Sequence, residues 1–96
     1  MHGEYKMPGG KLAVIDLDVR AGCLADVQLS GDFFLEPDAA MAAINTALEG
    51  CPAGAGEAAL IAAVRSALPP DVMMYGISPE AIAIAVTRAL RPEPAA

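Results

Sequence analysis

The stretch KLAVIDLDVRAGCLADVQLS, residues 11–30, holds two segments of alternating side chains on either side of an Ala-Gly pair. The side chains that we expect on the buried face are Ala13, Ile15, Leu17 and Val19 in the first segment, and Cys23, Ala25, Val27 and Leu29 in the second. A repeat of two residues is typical of a strand with one buried face. Two such segments around a short glycine turn predict an antiparallel β-hairpin.

The opening segment HGEYK, residues 2–6, predicts a further strand that joins this hairpin through MPGG, residues 7–10. Proline fixes φ and glycine accepts a positive φ, so this sequence suits a tight turn. The amino-terminal third of the chain is therefore predicted to form an antiparallel three-stranded meander.

The rest of the chain predicts three helices, because apolar residues recur there every three or four positions. The predicted segments are residues 37–49, 57–68 and 79–91. Pro37 is expected in a first helical turn and Gly50 just after a helix end. The stretch VMMYGI, residues 72–77, fits either a loop or an edge strand.

The predicted fold class is α+β, with a three-stranded antiparallel sheet followed by about three helices on one sheet face. Ser78 is expected to cap the third helix. We predict one domain over residues 1–91 and a disordered tail over residues 92–96.

Composition narrows the classes of function. The chain has 96 residues and a net charge of −6, which argues against a nucleic-acid partner, since phosphate binding needs many lysines and arginines. We found no apolar segment long enough to span a bilayer, and the start lacks the pattern of a signal peptide. No membrane association and a cytoplasmic location are therefore expected.

The two lysines of the chain, Lys6 and Lys11, lie on either side of the MPGG turn. Residues 1–11 carry these two lysines against one acid, a balance of +1, whereas the remaining four arginines and eleven acids give −7. A hairpin tip with lysines beside the N–H groups of Gly9 and Gly10 is suited to meet a carboxylate or phosphate. The alternative is a solvated turn whose charges serve solubility.

Other chemically active residues give weaker patterns. Cys23 and Cys51 with the single His2 are too few for a zinc or iron–sulfur centre, so no metal site is predicted. Asp16 and Asp18 share one strand face and are interpreted as a solvated face. No pair of nucleophile and base is evident, so no catalytic residue is assigned.

Two adjacent aromatic residues, Phe33 and Phe34, follow the predicted sheet directly. In an extended backbone they point to opposite sides. At least one is expected between the sheet and the helices, and a docking role is open for the other.

The segments GEYKMPGGKL, residues 3–12, and SGDFFLEP, residues 30–37, resemble the C-terminal accessory domain of lipoate–protein ligases. The resemblance covers essentially residues 2–90, although its helical half is generic. It implies an α+β fold similar to that of iron–sulfur scaffold proteins of the sulfur-mobilisation type, whose metal-binding cysteines are not matched here.

The resemblance also implies a function. In this family a large domain activates lipoate with ATP as lipoyl-adenylate and transfers the lipoyl group to a lysine of an acceptor domain. The small domain is needed for activation and closes over the large one. In some organisms it is a separate polypeptide, which this chain resembles because Met1 stands just before the motif; a piece cut from a longer ligase would look the same.

The chain is therefore expected to be a non-catalytic accessory subunit that forms a heterodimer with the catalytic large subunit and meets lipoyl-acceptor domains only indirectly. It would bind no cofactor alone, while ATP, Mg²⁺ and lipoate would lie on the partner. The resemblance assigns support of adenylation to Lys6, Gly9, Gly10 and Lys11. Phe33 and Phe34 would form the interface.

Two alternatives remain open at this point. The chain could be a scaffold or binding module that handles sulfur or iron through Cys23 and Cys51. It could also be an interaction protein whose ligase partner has been lost or replaced. The choice between lipoate and octanoate as the substrate is open as well.

Overall fold

The computed structural model describes residues 1–90. In chain order the elements are β1 (His2–Lys6), β2 (Leu12–Arg20), β3 (Cys23–Gly31), β4 (Phe34–Glu36), α1 (Ala39–Leu48), α2 (Glu57–Ala67), β5 (Met73–Tyr75) and α3 (Pro79–Leu90). This is an α+β fold with three helices. The predictions for residue 91 and for a disordered tail at residues 92–96 lie outside the described residues.

The three-stranded antiparallel sheet has the order β1-β2-β3, as the alternation predicted. Its inner face carries Ala13, Ile15, Leu17 and Leu29, all of them buried. Helix α3 packs on β1 and β2, α1 packs on β3, and α2 contacts both other helices. The helices thus cover the apolar face of the sheet, and no helix within residues 1–90 is long and apolar enough to cross a membrane.

Strand β3 departs from the predicted alternation. The register pairs Asp16 with Gln28 but Asp18 with Ala25, so β3 has one extra residue opposite β2. This β-bulge includes Asp26, which has a φ of +50°. A bulge reverses the phase of the side chains beyond it. The expectation that Cys23 and Ala25 face inward was therefore wrong, and Leu24 occupies the core instead.

The fold has a second, two-stranded sheet, which contacts α1 through β4. Strands β4 and β5 pair antiparallel, which resolves the ambiguity at residues 72–77 in favour of a strand. The helix predicted from residue 37 begins only at Ala39, because the backbone up to Glu36 is held in β4. The helix ends at Leu48, and Gly50 follows with a φ of +88°.

Helix α3 is the central helix of the fold. Ser78 caps it as predicted, since its Oγ accepts a hydrogen bond from the Ala81 N–H at 3.0 Å. Its buried surface extends beyond a single stripe of residues, because the helix contacts both the sheet and α2. Small alanine side chains let it approach β1 closely at Gly3.

Candidate functional site

The β1–β2 turn, residues 7–11, is held by its own backbone. The Gly10 N–H donates to the Met7 carbonyl oxygen at 2.9 Å, and the Met7 N–H donates to the Lys11 carbonyl oxygen at 3.3 Å. Gly9 has a φ of +71°, a conformation that glycine adopts without steric cost. The Gly10 N–H is therefore already hydrogen-bonded, whereas the Gly9 N–H makes no backbone hydrogen bond to residues 1–90.

Neighbouring segments fix this turn from outside. The Lys11 N–H donates to the Gly76 carbonyl oxygen at 3.1 Å, in the loop between β5 and α3. The Leu12 N–H donates to Asp32 Oδ1 at 2.8 Å, just beyond β3. Gly76 has a φ of +77°, and a Cβ there would overlap with the side chain of Lys11. The turn is thus attached to two other parts of the fold.

The predicted lysines flank the turn at this end of the sheet. The register places Lys6 opposite Leu12, the residue directly after Lys11. Both lysines are exposed, and within residues 1–90 neither forms an ion pair. Two exposed lysine residues thus flank the Gly9–Gly10 turn, on a chain whose net charge is −6.

The two phenylalanines point to opposite sides, as predicted. Phe33 is 8% exposed and belongs to the hydrophobic core, whereas Phe34 is 55% exposed. A side chain buried in the core is not accessible to another protein. The predicted partner interface is therefore restricted to Phe34.

Strands β4 and β5 place three residues that the sequence-based assignment missed beside Phe34, namely Glu36, Met73 and Tyr75. Phe34 pairs with Tyr75 and Glu36 with Met73, and all four side chains are exposed. The rings of Phe34 and Tyr75 lie 6.0 Å apart at a tilt of 53°. The sequence gives little signal here, because residues 73–75 read Met-Met-Tyr, without alternation, and the stretch is too short to be assigned as a strand.

The acidic residues Glu36, Asp38 and Asp71 lie at the Met73 end of this small sheet, Glu36 as the last residue of β4. Together with Pro37 and Met73 they line a shallow, open depression. The two ends of the small sheet thus differ in charge, with the lysine turn beside one end and carboxylates at the other.

His2 lies on the outer sheet face, near the opposite end of β1 from the turn. Its Nε2 is 2.6 Å from Glu4 Oε2, and its Nδ1 is 2.8 Å from Asp16 Oδ1. These hydrogen bonds, that of Glu4 first and that of Asp16 next, raise the pKa of His2 above its ordinary value. The His2 side chain is 52% exposed, so this cluster is a local feature of the surface.

The two cysteines lie on neighbouring segments. Cys23 forms an isolated β-bridge with Pro52, the residue after Cys51. The Cys51 Sγ donates to the Ala47 carbonyl oxygen at 3.3 Å, and both thiols are free. Among residues 1–90 no group of three or more His, Cys, Asp or Glu side chains is arranged to hold a metal ion.

Comparison with known proteins adds a likeness in fold. No family model matches the chain, and no curated protein matches it significantly. Among solved structures, the chain is similar to one from the archaeal lipoylation system of Thermoplasma acidophilum, described as a bi-partite lipoate protein ligase and its E2 lipoyl domain. The TM-score is 0.65 at 24% identity, over 97% of this chain and 100% of that one. At this identity the likeness shows the fold.

Proposed function

We propose that this chain is the accessory subunit of a two-chain lipoate–protein ligase. A separate catalytic chain would activate lipoate with ATP to lipoyl-adenylate and pass the lipoyl group to a lysine of an acceptor protein. The observation that carries the proposal is the pair of solvated lysines, Lys6 and Lys11, on a glycine turn that the rest of the fold holds in place. The full-length likeness to a chain from a bi-partite ligase system supports it.

The chemistry of adenylation explains why such a turn would be useful. A lipoate carboxylate oxygen attacks the α-phosphorus of ATP. The bond from this phosphorus to the oxygen that bridges the α- and β-phosphates breaks, and pyrophosphate leaves with that oxygen. Negative charge accumulates while these groups approach and separate, so ammonium groups and a free N–H placed beforehand stabilise the transition state. Lys6 and Lys11 would supply the positive charge, and the Gly9 N–H would supply a hydrogen bond, when the accessory chain closes over the catalytic chain.

The fixed backbone matters as much as the charge. A positioned donor stabilises a transition state because it needs no reorganisation at the moment of reaction. The bonds from Lys11 to Gly76 and from Leu12 to Asp32 hold the turn before any substrate arrives. ATP, Mg²⁺ and lipoate would be bound by the catalytic chain in this proposal.

Pyrophosphate release tests the proposal directly. The candidate catalytic chain is assayed with ATP and lipoate, alone and with this chain added. We expect release to depend on this chain and to fall about tenfold or more with Lys6→Ala/Lys11→Ala, since removing positioned charge or donors has effects of this size or larger. A parallel assay with octanoate decides which acid is preferred.

Two controls separate position from net charge. Arg20→Ala removes a positive charge at the opposite hairpin turn, where Arg20 pairs with Asp26, and it should leave release unchanged. Lys6→Arg/Lys11→Arg keeps the charge and should retain most of the activity. A catalytic chain that is fully active alone and does not bind this chain would contradict the proposal.

A further inference from the structure

The small β4–β5 sheet exposes an unusual amount of apolar surface. Four large hydrophobic side chains are exposed within residues 1–90, and three of them lie on this sheet: Phe34, Met73 and Tyr75. Their strand neighbours Leu35 and Met74 are less exposed and pack on the core. A contiguous apolar patch with a polar rim is typical of a protein interface rather than of a solvated surface.

The charges around this patch differ from one end to the other. Tyr75 is followed by Gly76, whose carbonyl oxygen holds the Lys11 N–H, so the lysine turn adjoins the aromatic end. At the other end, Glu36 pairs with Met73 beside the acidic depression. Glu36 lies two residues beyond Phe34, about 7 Å along the strand. The lysine turn, the aromatic pair and the carboxylates thus follow one another along the small sheet.

We infer that the exposed face of β4–β5 is the surface by which this chain docks on its catalytic partner, in one orientation that the charges select. The partner surface would have an apolar centre that accepts Phe34 and Tyr75. It would also have lysine or arginine side chains opposite Glu36, Asp38 and Asp71. The occupant follows from the proposed function, whereas the location and polarity of the surface follow from the structure.

The orientation has a consequence for the lysine turn. Opposite charges at one end of an interface fix the register of docking, and like charges oppose the reverse orientation. With basic partner residues over the carboxylates, Lys6 and Lys11 would face the other end of the partner surface, toward the anionic substrates. The same contact that holds the two chains together would therefore aim the turn.

Binding to the catalytic chain tests this surface through its charges. Affinity is measured by titration calorimetry at two salt concentrations, for the wild type and for Glu36→Lys/Asp71→Lys. The variant is expected to bind about tenfold more weakly or worse, because charge reversal places like charges together. Salt should weaken binding of the wild type, because it screens the attraction between opposite charges. It should weaken binding of the variant less, or strengthen it. The matched control Asp16→Lys/Asp18→Lys makes the same change in net charge on the outer sheet face and should bind as the wild type does.

The apolar centre has its own test. Phe34→Ser/Tyr75→Ser removes two exposed rings that contact each other, and we expect binding to weaken about tenfold or more, as for aromatic anchors of interfaces. Circular dichroism melts should show that the variant is folded. The control Ser66→Ala alters an exposed position on α2 and should not change binding.

The results distinguish this inference from the proposed function. If the wild type binds and supports pyrophosphate release, and both patch variants bind equally well, the docking surface is wrong while the function stands. If the wild type neither binds nor affects release, the proposed function fails, and the choice of occupant fails with it. Weakened binding by both patch variants, with the controls unchanged, supports the inference.

Discussion

Gly3 lies where β1 passes directly beneath α3. A Cβ at this position would overlap with the backbone of Ala85 and Ala89, neither of which can move aside like a flexible side chain. We expect Gly3→Ala to lower the free energy of unfolding by about 1–3 kcal/mol or more, the range for overpacked cores. Urea denaturation measures this loss.

Gly54 provides the matched control for Gly3. A Cβ at Gly54 has no neighbouring atom within 4 Å, and its φ is not positive, so alanine is tolerated there. Gly54→Ala should therefore be as stable as the wild type or slightly more stable. Equal stability of both alanine variants would show that α3 does not contact β1 as closely as the structure indicates.

The hydrogen bonds of His2 predict how the stability of the fold depends on pH. Its bonds to Glu4 and Asp16 raise its pKa, so the folded chain holds this proton more tightly than the unfolded chain does. The associated stabilisation is fully present below the unfolded-state pKa and is lost as pH rises through the folded-state pKa. Because His2 is the single histidine of the chain, its ring proton resonances report the titration without overlap.

Removal of the carboxylates should reverse this shift. Glu4→Gln/Asp16→Asn keeps the shapes of the side chains and removes their charges, so the pKa of His2 should return toward its ordinary value. An unchanged titration curve in this double variant would contradict the contacts. Glu57→Gln, a change far along the chain on α2, serves as the control.

At the scale of elements, α1 protects the outer edge of β3. The Leu29 N–H donates to Asn45 Oδ1 at 2.9 Å, and the Val27 N–H donates to Glu49 Oε2 at 3.2 Å. An edge strand with unpaired backbone groups is a site for unwanted pairing. Side chains of the helix and of its C-cap residue Glu49 thus take the place of a fourth strand at these two positions.

Asn45→Ala should therefore destabilise the fold more than an alanine substitution at an ordinary helix position does. It leaves the Leu29 N–H without its partner in a partly buried place, and we expect a loss of about 1–3 kcal/mol in the free energy of unfolding. Thr46→Ala, on the exposed side of the same helix, should have little effect. Faster amide exchange at Leu29 alone would identify the broken bond, and equal stability of both variants would contradict it.

At the scale of the whole molecule, Gly76 joins the lysine turn to the docking surface. Alanine at Gly76 would be strained at a φ of +77° and would displace the side chain of Lys11. Gly22 has a similar φ of +79° with open space around it. Each alanine variant should lose about 1–2 kcal/mol of stability through backbone strain, but only Gly76→Ala should move the turn.

This difference tests whether the position of the turn matters to the proposed function. We expect Gly76→Ala to lower pyrophosphate release with the catalytic chain and to shift the amide resonances of residues 10–12. Gly22→Ala should leave both unchanged at a temperature where each variant is folded. Equal release by the two variants would show that the placement of Lys11 is not important.

The sequence by itself determined the elements whose patterns are local. The two-residue alternation of residues 11–30 fixed the β2–β3 hairpin, and the Ser78 cap marked the start of α3. The lysines beside the glycine turn were equally visible, because a meander brings residues on either side of a tight turn together. Such features depend on neighbours a few positions away in the chain.

Only the tertiary structure decided the features that depend on distant segments. The bulge at Asp26 changed which residues at the start of β3 face the core. The pairing of Phe34 with Tyr75 made a strand of a segment only three residues long. The contact of Gly76 with Lys11 likewise joins segments far apart in sequence. Each arises because burial of one face and hydrogen bonding across strands select a partner that no local periodicity encodes.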